Sequence, residues 1–215
     1  MALTQKRKRG SLSRKEIAAT ALRLMDEHGL ESVTMRQLAG ELDVGVMSLY
    51  IHAANKEEII TAAAELVLTG MPRASGKAKP RNAVIRYFEG FRRELVAHPS
   101  VAQAIASTYL AGPAVFASMD SLFAALARAG IYDESAVDAV TGLMSYTLGF
   151  VFFSTARSRH DPGAAAARAS NLRGVDPDAF PHLHRVREQL VGDAFDRQFS
   201  TGLCLLVDAY LADAE

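Results

Sequence analysis

An all-α protein in two domains is what this sequence predicts, and three observations carry the prediction. Apolar residues recur at three- and four-residue spacing in nearly every stretch long enough to test. No stretch shows the alternation of a strand. Between Gly70 and Pro80 the period lapses into Gly, Pro, Ser, Lys and Ala. That lapse separates a short-helix domain over residues 13–70, preceded by a basic arm over 1–12, from a longer helical domain over 80–215. A chain of 215 residues, 49% of them apolar, is long enough to bury a full core.

Each element has its own signal. Ser13 followed by Glu16 forms a capping box, and Ile17, Ala21, Leu22, Leu24 and Met25 then keep helical spacing as far as His28 and Gly29. Gly29 suits the left-handed residue after a helix end, with Leu30 making the hydrophobic contact that follows it. Thr34 caps a two-turn helix, Met35 to Leu42, with Met35, Leu38, Ala39 and Leu42 on one face. Asp43, Val44 and Gly45 break it, and Val46 to His52 resumes the period. Asn55 caps a fourth helix through Ile59, Ile60, Ala63, Leu66 and Val67. Beyond the boundary, helices are expected over Ala83–His98, Val101–Leu110, Ala114–Ala129, Glu134–Arg157, near Phe180–Leu190 and over Asp193–Ala212. Arg157–Asp178 reads as a loop with one Ala-rich turn.

Composition narrows the function classes. The single cysteine, Cys204, rules out an internal disulfide framework and reads as an inert core thiol. The basic N-terminus has no apolar run behind it, so no secretory signal is read there and the cytoplasm is the expected compartment. Ala139 to Ala156 carries no charge, yet its Thr, Ser, Tyr and Gly residues dilute the hydrophobicity. A helix buried on all sides is the reading preferred over a membrane span, and no membrane partner is expected. Lys plus Arg and Asp plus Glu both total 24, so bulk charge predicts no polyanion partner. Distribution does: Lys6, Arg7, Lys8, Arg9, Arg14 and Lys15 put six positive charges and no negative ones into the first fifteen residues.

A short helix, a three-residue turn and a second short helix make the helix-turn-helix arrangement, in which the second helix enters the major groove of DNA. Leu49 and Val46 then face the core, and Ser48 and His52, one turn apart, share the outward face with the Tyr50 hydroxyl at its edge. Lys56 clamps phosphate, and Gly45 lets the backbone approach DNA closely. A surface helix of a small bundle is the competing reading of the same pattern.

Thr34-Met35-Arg36-Gln37-Leu38-Ala39-Gly40-Glu41-Leu42, Val44-Gly45, Ser48-Leu49-Tyr50-Ile51-His52 and Asn55-Lys56-Glu57-Glu58-Ile59 together resemble the DNA-binding domain of tetracycline-repressor-type (TetR family) transcription regulators. The likeness runs over residues 11–70, and a weaker one to the family's C-terminal domain continues through Tyr146-Thr147-Leu148-Gly149 and the last helix. It implies that Thr34 and Arg36 contact phosphate and a groove edge, and that Ser48, Tyr50, His52 and Lys56 recognise and clamp DNA. It also implies a C-terminal ligand-binding and dimerisation domain, a homodimer on double-stranded palindromic operator DNA, and a repressor released by a small molecule. Val46, Met47 and Ile51 depart from the polar-aromatic centre of the tetracycline-binding members, so their operator does not carry over.

In the C-terminal half, Phe195, Phe199, Leu203, Leu206, Val207 and Tyr210 keep helical spacing, and Gly142 and Gly149 offer close approach one heptad apart. An intramolecular core explains this as well as a four-helix dimer bundle does; the resemblance favours the dimer. Tyr87, Phe88, Phe91, Met119, Phe123, Met144, Phe150 and Phe153 supply core or the wall of an apolar cavity. The resemblance places Tyr87, Thr108 and Ser121 toward a ligand. Ile105 and Phe153 stand where tetracycline-binding members carry the imidazole and the acidic group of a magnesium-drug site, so a mainly apolar, metal-independent effector is expected, with no cofactor. His182 and His184 read as a solvent-facing pair. Glu89 and His98 form no catalytic constellation with other residues, so no enzyme is expected. A DNA-binding protein without ligand control remains as the alternative, which a filled C-terminal core would favour.

Overall fold

A computed structural model describes residues 12–71, 73–74, 76–107, 110–158, 162–191 and 194–212. Thr108 and residues 1–11 of the basic arm, Lys6 to Arg9 among them, lie outside the described residues. Among those described the elements are all helical: α1 Arg14–His28, a single 3-10 turn Leu30–Ser32, α2 Met35–Glu41, α3 Val46–Tyr50 and α4 Lys56–Thr69, then α5 Pro80–Ala97, α6 Pro99–Ser107, α7 Pro113–Ala127, α8 Asp133–Ser158, α9 Pro162–Arg173, α10 Pro181–Val191 and α11 Phe195–Ala212.

Side-chain caps fix the starts of three N-terminal helices. Ser13 accepts from the Glu16 N–H at 3.2 Å, Thr34 from Gln37 at 3.1 Å and Asn55 from Glu58 at 2.9 Å. Such a cap contributes about 1 kcal/mol. Later helices start differently. Among the described residues five begin on a proline (Pro80, Pro99, Pro113, Pro162 and Pro181), a residue whose missing N–H costs nothing in the first turn.

The 157–178 segment departs from the expectation of a loop, because α9 occupies twelve residues of it. Pro162 opens the helix, Ala164 to Ala167 add strong helix formers, and Gly174 follows the end with its N–H bonded to the Ser170 carbonyl at 3.0 Å. It packs chiefly on α10, whose described residues are none of them buried.

α1 packs along α4, and α8 runs through the C-terminal helices against α5, α6, α7 and α11. One continuous core joins the two halves, from Ile17 to Val207, with Leu24, Met25, Leu38, Leu49, Ile59, Phe88, Leu95, Leu122, Leu126, Leu143 and Phe199 almost wholly removed from water. α8 is long and apolar enough to cross a membrane by length and composition, yet only a third of that stretch is buried. The expectation of burial on all sides is therefore not met. Thr147 and Val151 lie in the core, while Val137, Phe152 and Phe153 are exposed, because the helices of one chain cover one side of α8 and leave the other bare.

α8 and α11 meet through a reciprocal fit. A Cβ at Gly142 would fall on the Tyr210 hydroxyl, and one at Gly202 would fall on the Tyr146 hydroxyl. Tyr146 also stacks on Phe199, 5.5 Å between centroids, and its hydroxyl donates to the Phe199 carbonyl at 3.1 Å. Gly149, expected to share this role, has no neighbour that a Cβ would meet. Cys204, on the same helix, is half-buried rather than core.

Three ties join the N-terminal helices to the rest. Ser100 donates to the Met25 carbonyl at 2.6 Å, and His98 Nδ1 lies 2.8 Å from Asp26 Oδ2. Glu65 of α4 accepts from the Ala114 N–H at 3.1 Å, at the first turn of α7, where a side chain on Gly112 would collide with that carboxylate.

Candidate functional site

The turn between α2 and α3 is tight. Asp43 adopts φ +52°, a left-handed conformation that Asp tolerates better than most residues, its N–H donates to Gly40 at 3.2 Å, and the Val44 N–H donates to Ala39 at 3.0 Å. Gly45 keeps an ordinary extended backbone, and nothing lies within 4 Å of where its Cβ would be. The peptide there is open for another molecule to approach.

Leu49 is fully buried and sets the rotation of α3. At about 100° per residue, Met47 and Ile51 both fall roughly 160° from it, Tyr50 and Ser48 on either flank, and His52 back toward the core. The exposures follow this wheel: 76% for Met47, 81% for Ile51 and 46% for Tyr50, with Ser48 and His52 half-buried. The outward face is thus Met47, Tyr50 and Ile51, in place of the expected pairing of Ser48 with His52. The buried Leu49 was a sufficient signal for it in the sequence.

Arg36 and Thr34 are exposed at the start of α2, and Lys56 is half-buried at the start of α4. Two carboxylates nearby are exposed but engaged: Glu41 pairs with Arg23, and Glu58 accepts from the Ala54 N–H at 2.9 Å. Arg36 and Lys56, on either side of α3 in the chain, give a polyanion two cationic contacts, among exposed Asp43 and Glu57.

A second feature lies 12 residues further along α4. Leu68 together with Tyr87 and Phe91 of α5, Ile105 of α6, Leu110 ahead of α7, Val115, Ser118 and Met119 of α7 and Met144 of α8 lines a cavity of about 200 Å³. Its polar group is a buried pair, the Tyr87 and Ser118 hydroxyls 2.7 Å apart. Burial pushes the Tyr87 phenol up from its ordinary value, and the hydrogen bond to Ser118 opposes that rise only in part, so the hydroxyl stays protonated at neutral pH.

Of the residues expected to line a ligand site or supply the wall of a cavity, Tyr87, Phe91, Ile105, Met119 and Met144 come together here. Phe88 does not. It is fully buried behind the wall, edge-on to Tyr87 at 5.2 Å. Ser121 donates to the Ser118 carbonyl at 2.8 Å and accepts from the Ala74 N–H at 3.3 Å, tying the interdomain segment to α7. Ser118, one turn before it, was missed because two serines three residues apart differ only in how α7 is rotated against α5. Phe150 packs on Tyr146 and Phe199, and with the 67% exposed Phe153 it borders a separate hollow with Gln189, Leu190 and Phe195. His184 is half-buried, and its Nδ1 donates to the Val175 carbonyl at 3.0 Å, so His182 and His184 are not a solvent-facing pair. Among the described residues no three His, Cys, Asp or Glu side chains gather where they could hold a metal ion.

Residues 17–63 match the model described as bacterial regulatory proteins, tetR family, and residues 72–211 match that for the tetracyclin repressor-like C-terminal domain. An HTH-type transcriptional regulator of Saccharopolyspora erythraea is 30% identical over 83% of this chain and 76% of its own length. Tetracycline repressor protein class C of Escherichia coli is 31% identical over 91% of this chain and 89% of its own. The crystal structure of ActR, a TetR family protein from Streptomyces coelicolor, in complex with actinorhodin superimposes with a TM-score of 0.83 at 26% identity, over 94% of this chain and 98% of that one. With family models covering both halves, an exposed second helix after a tight turn, and a cavity behind it, this chain belongs to the tetR family of bacterial regulatory proteins.

Proposed function

We propose that the chain is a homodimeric repressor in the cytoplasm whose hold on a palindromic operator is released by a small, mainly apolar effector in the α4–α8 cavity. The observation that carries this reading is that one helix serves both sites: α4 begins with Lys56 beside the recognition helix and ends with Leu68 in the cavity wall. An effector that prefers one placement of α4 shifts the protein toward it by its differential affinity for the two placements. An unfilled cavity also favours this reading over a DNA-binding protein without ligand control.

The cavity selects its effector by chemistry. Eight of the nine lining side chains are apolar or aromatic, and the Tyr87–Ser118 pair offers one place for a hydroxyl or carbonyl. Ile105 has no atom able to ligate a hard cation, and none of the nine lining side chains is a carboxylate, imidazole or thiol, which supports a metal-independent effector, although Phe153, the other expected position, borders a separate hollow. The tetracycline repressors among its relatives and ActR with bound actinorhodin support a small-molecule ligand. Catalysis is no part of the reading. His98 is held by Asp26 as an interdomain tie, and Glu89 is exposed on α5.

Two-fold assembly follows from uncovered apolar surface. Phe153 of α8, Leu205 of α11, and Leu183, Val186 and Leu190 along α10 are all exposed in the single chain, apolar surface that a partner would cover. A second copy covering the bare side of α8 accounts for the uncharged stretch without a membrane, and two recognition helices that read successive major grooves of a palindrome would stand roughly 34–36 Å apart.

Selection of bound DNA from a random pool, followed by a release screen on the selected site with and without EDTA, tests the whole reading. A palindrome and a release that persists in EDTA are expected. A pool that does not enrich overturns the DNA reading, and a release that vanishes on chelation and returns with magnesium overturns the metal-independent effector.

A further inference from the structure

Met47 and Ile51 are the two most exposed large apolar side chains of the N-terminal domain, and they stand one turn apart on the face of α3 opposite Leu49. Neither can donate or accept a hydrogen bond of the usual kind, so neither reads the donors and acceptors of a base edge. Their apolar surface is left in water at a cost that grows with area. In the major groove one base alone presents an apolar protrusion, the C5-methyl of thymine. Cations flank the face in the chain: Arg36 is exposed at the start of α2, Lys56 is half-buried at the start of α4, and Gly45 leaves the backbone open at the first turn of α3.

We propose that Met47 and Ile51 are the sequence-determining residues of this chain and that each reads a thymine methyl in the operator half-site, while Tyr50 beside them supplies the polar contact. The inference rests on the DNA-binding reading above and adds the chemistry that it recognises. Four residues of helix advance about 6 Å, and successive base pairs about 3.4 Å, so the two thymines lie roughly two steps apart, on either strand. Two methyl contacts in place of two hydrogen-bonding pairs make an operator richer in A·T pairs under the centre of the helix.

The test uses the full-length protein and the operator recovered from a random pool. Each thymine of the half-site is replaced in turn by deoxyuridine, which removes the C5-methyl and leaves every hydrogen-bonding group in place. Two positions are expected to lose about fourfold in affinity each, the value of one buried methyl. Met47→Ala is expected to abolish the loss at one position and Ile51→Ala at the other, with thermal melts unchanged because both side chains are exposed. Lys56→Ala should weaken thymine and uracil operators alike.

Binding that is indifferent to uracil at every position overturns the proposal while leaving the DNA reading intact. So does a uracil penalty that persists unchanged in both alanine variants. If Met47→Ala or Ile51→Ala instead dissociates the dimer in sedimentation and leaves operator preference unaltered, the face belongs to a second copy of the chain. A protein that enriches no DNA from the pool sinks the proposal together with the reading beneath it.

Discussion

Removing the hydroxyls that face the cavity separates what they contribute to stability from what they contribute to binding. Tyr87 is 3% and Ser118 7% exposed, and their oxygens are 2.7 Å apart with apolar side chains around them. Tyr87→Phe strands the Ser118 hydroxyl, and Ser118→Ala strands the phenol. An unpaired buried hydroxyl costs about 1–3 kcal/mol. Ser118 sits on a helix and can turn its O–H to the carbonyl one turn earlier, so Tyr87→Phe falls at the lower end, about 1 kcal/mol. The ring holds the phenol in place, so Ser118→Ala costs about 2 kcal/mol. The double variant strands neither group, and its cost is about 0–1 kcal/mol, leaving a coupling energy of about 2–3 kcal/mol. For a chain of this length about 1 kcal/mol shifts the melting temperature by roughly 2–4 °C. The cycle is measured by chemical denaturation at one fixed protein concentration, since dimerisation makes apparent stability concentration-dependent. Losses that add within about 0.5 kcal/mol would show that the hydroxyls do not satisfy one another and would refute the reasoning.

Three further outcomes follow from the same geometry. Val115→Phe places a ring in a 200 Å³ cavity, so operator binding should persist while effector-driven release falls by about tenfold or more, and an unchanged dose-response would remove this cavity from the mechanism. Charging the bare apolar surface with Phe153→Glu and Leu205→Glu, at side chains 67% and 66% exposed, should convert the dimer to a folded monomer in sedimentation equilibrium; an intact dimer would place the interface elsewhere. Glu65→Ala removes the acceptor for the Ala114 N–H, and calorimetry should find effector affinity retained while release from DNA is blunted; full release would deny that contact a part in coupling.

How much of this could be read in advance depended on whether the deciding interaction was local. Ser13, Thr34 and Asn55 were readable as caps because a cap is settled within four residues, and Leu49 as core because its neighbours repeat at helical spacing. Proline carried a local signal that was under-used: the starts of α5, α6, α7, α9 and α10 all sit on one, and weighing it would have turned the 157–178 loop into α9. The cavity was not readable to the same degree. Tyr87, Phe91 and Ile105 reach it, but choosing Ser118 over Ser121, or setting Phe88 behind the wall, requires the rotation of α7 and α5 about their axes, which residues far apart in the chain decide. The half-bare α8 was misjudged for a related reason. An uncharged helix in one chain signals burial without saying whether its own chain or another supplies the cover.

The Glu65 contact also has a mechanical meaning. It fixes α4 to the first turn of α7 three residues from Leu68 and nine from Lys56. At 1.5 Å per residue these distances are about 4.5 Å and 13.5 Å along one stiff rod. Turned as one piece about the Glu65 contact, such a rod would be a lever with unequal arms. A nudge of about 1 Å at Leu68 sweeps Lys56 by roughly 3 Å the other way, as far as the whole reach of a hydrogen bond to phosphate. A molecule small enough for a 200 Å³ hollow therefore need not shift a domain bodily; it has only to lean on the short arm.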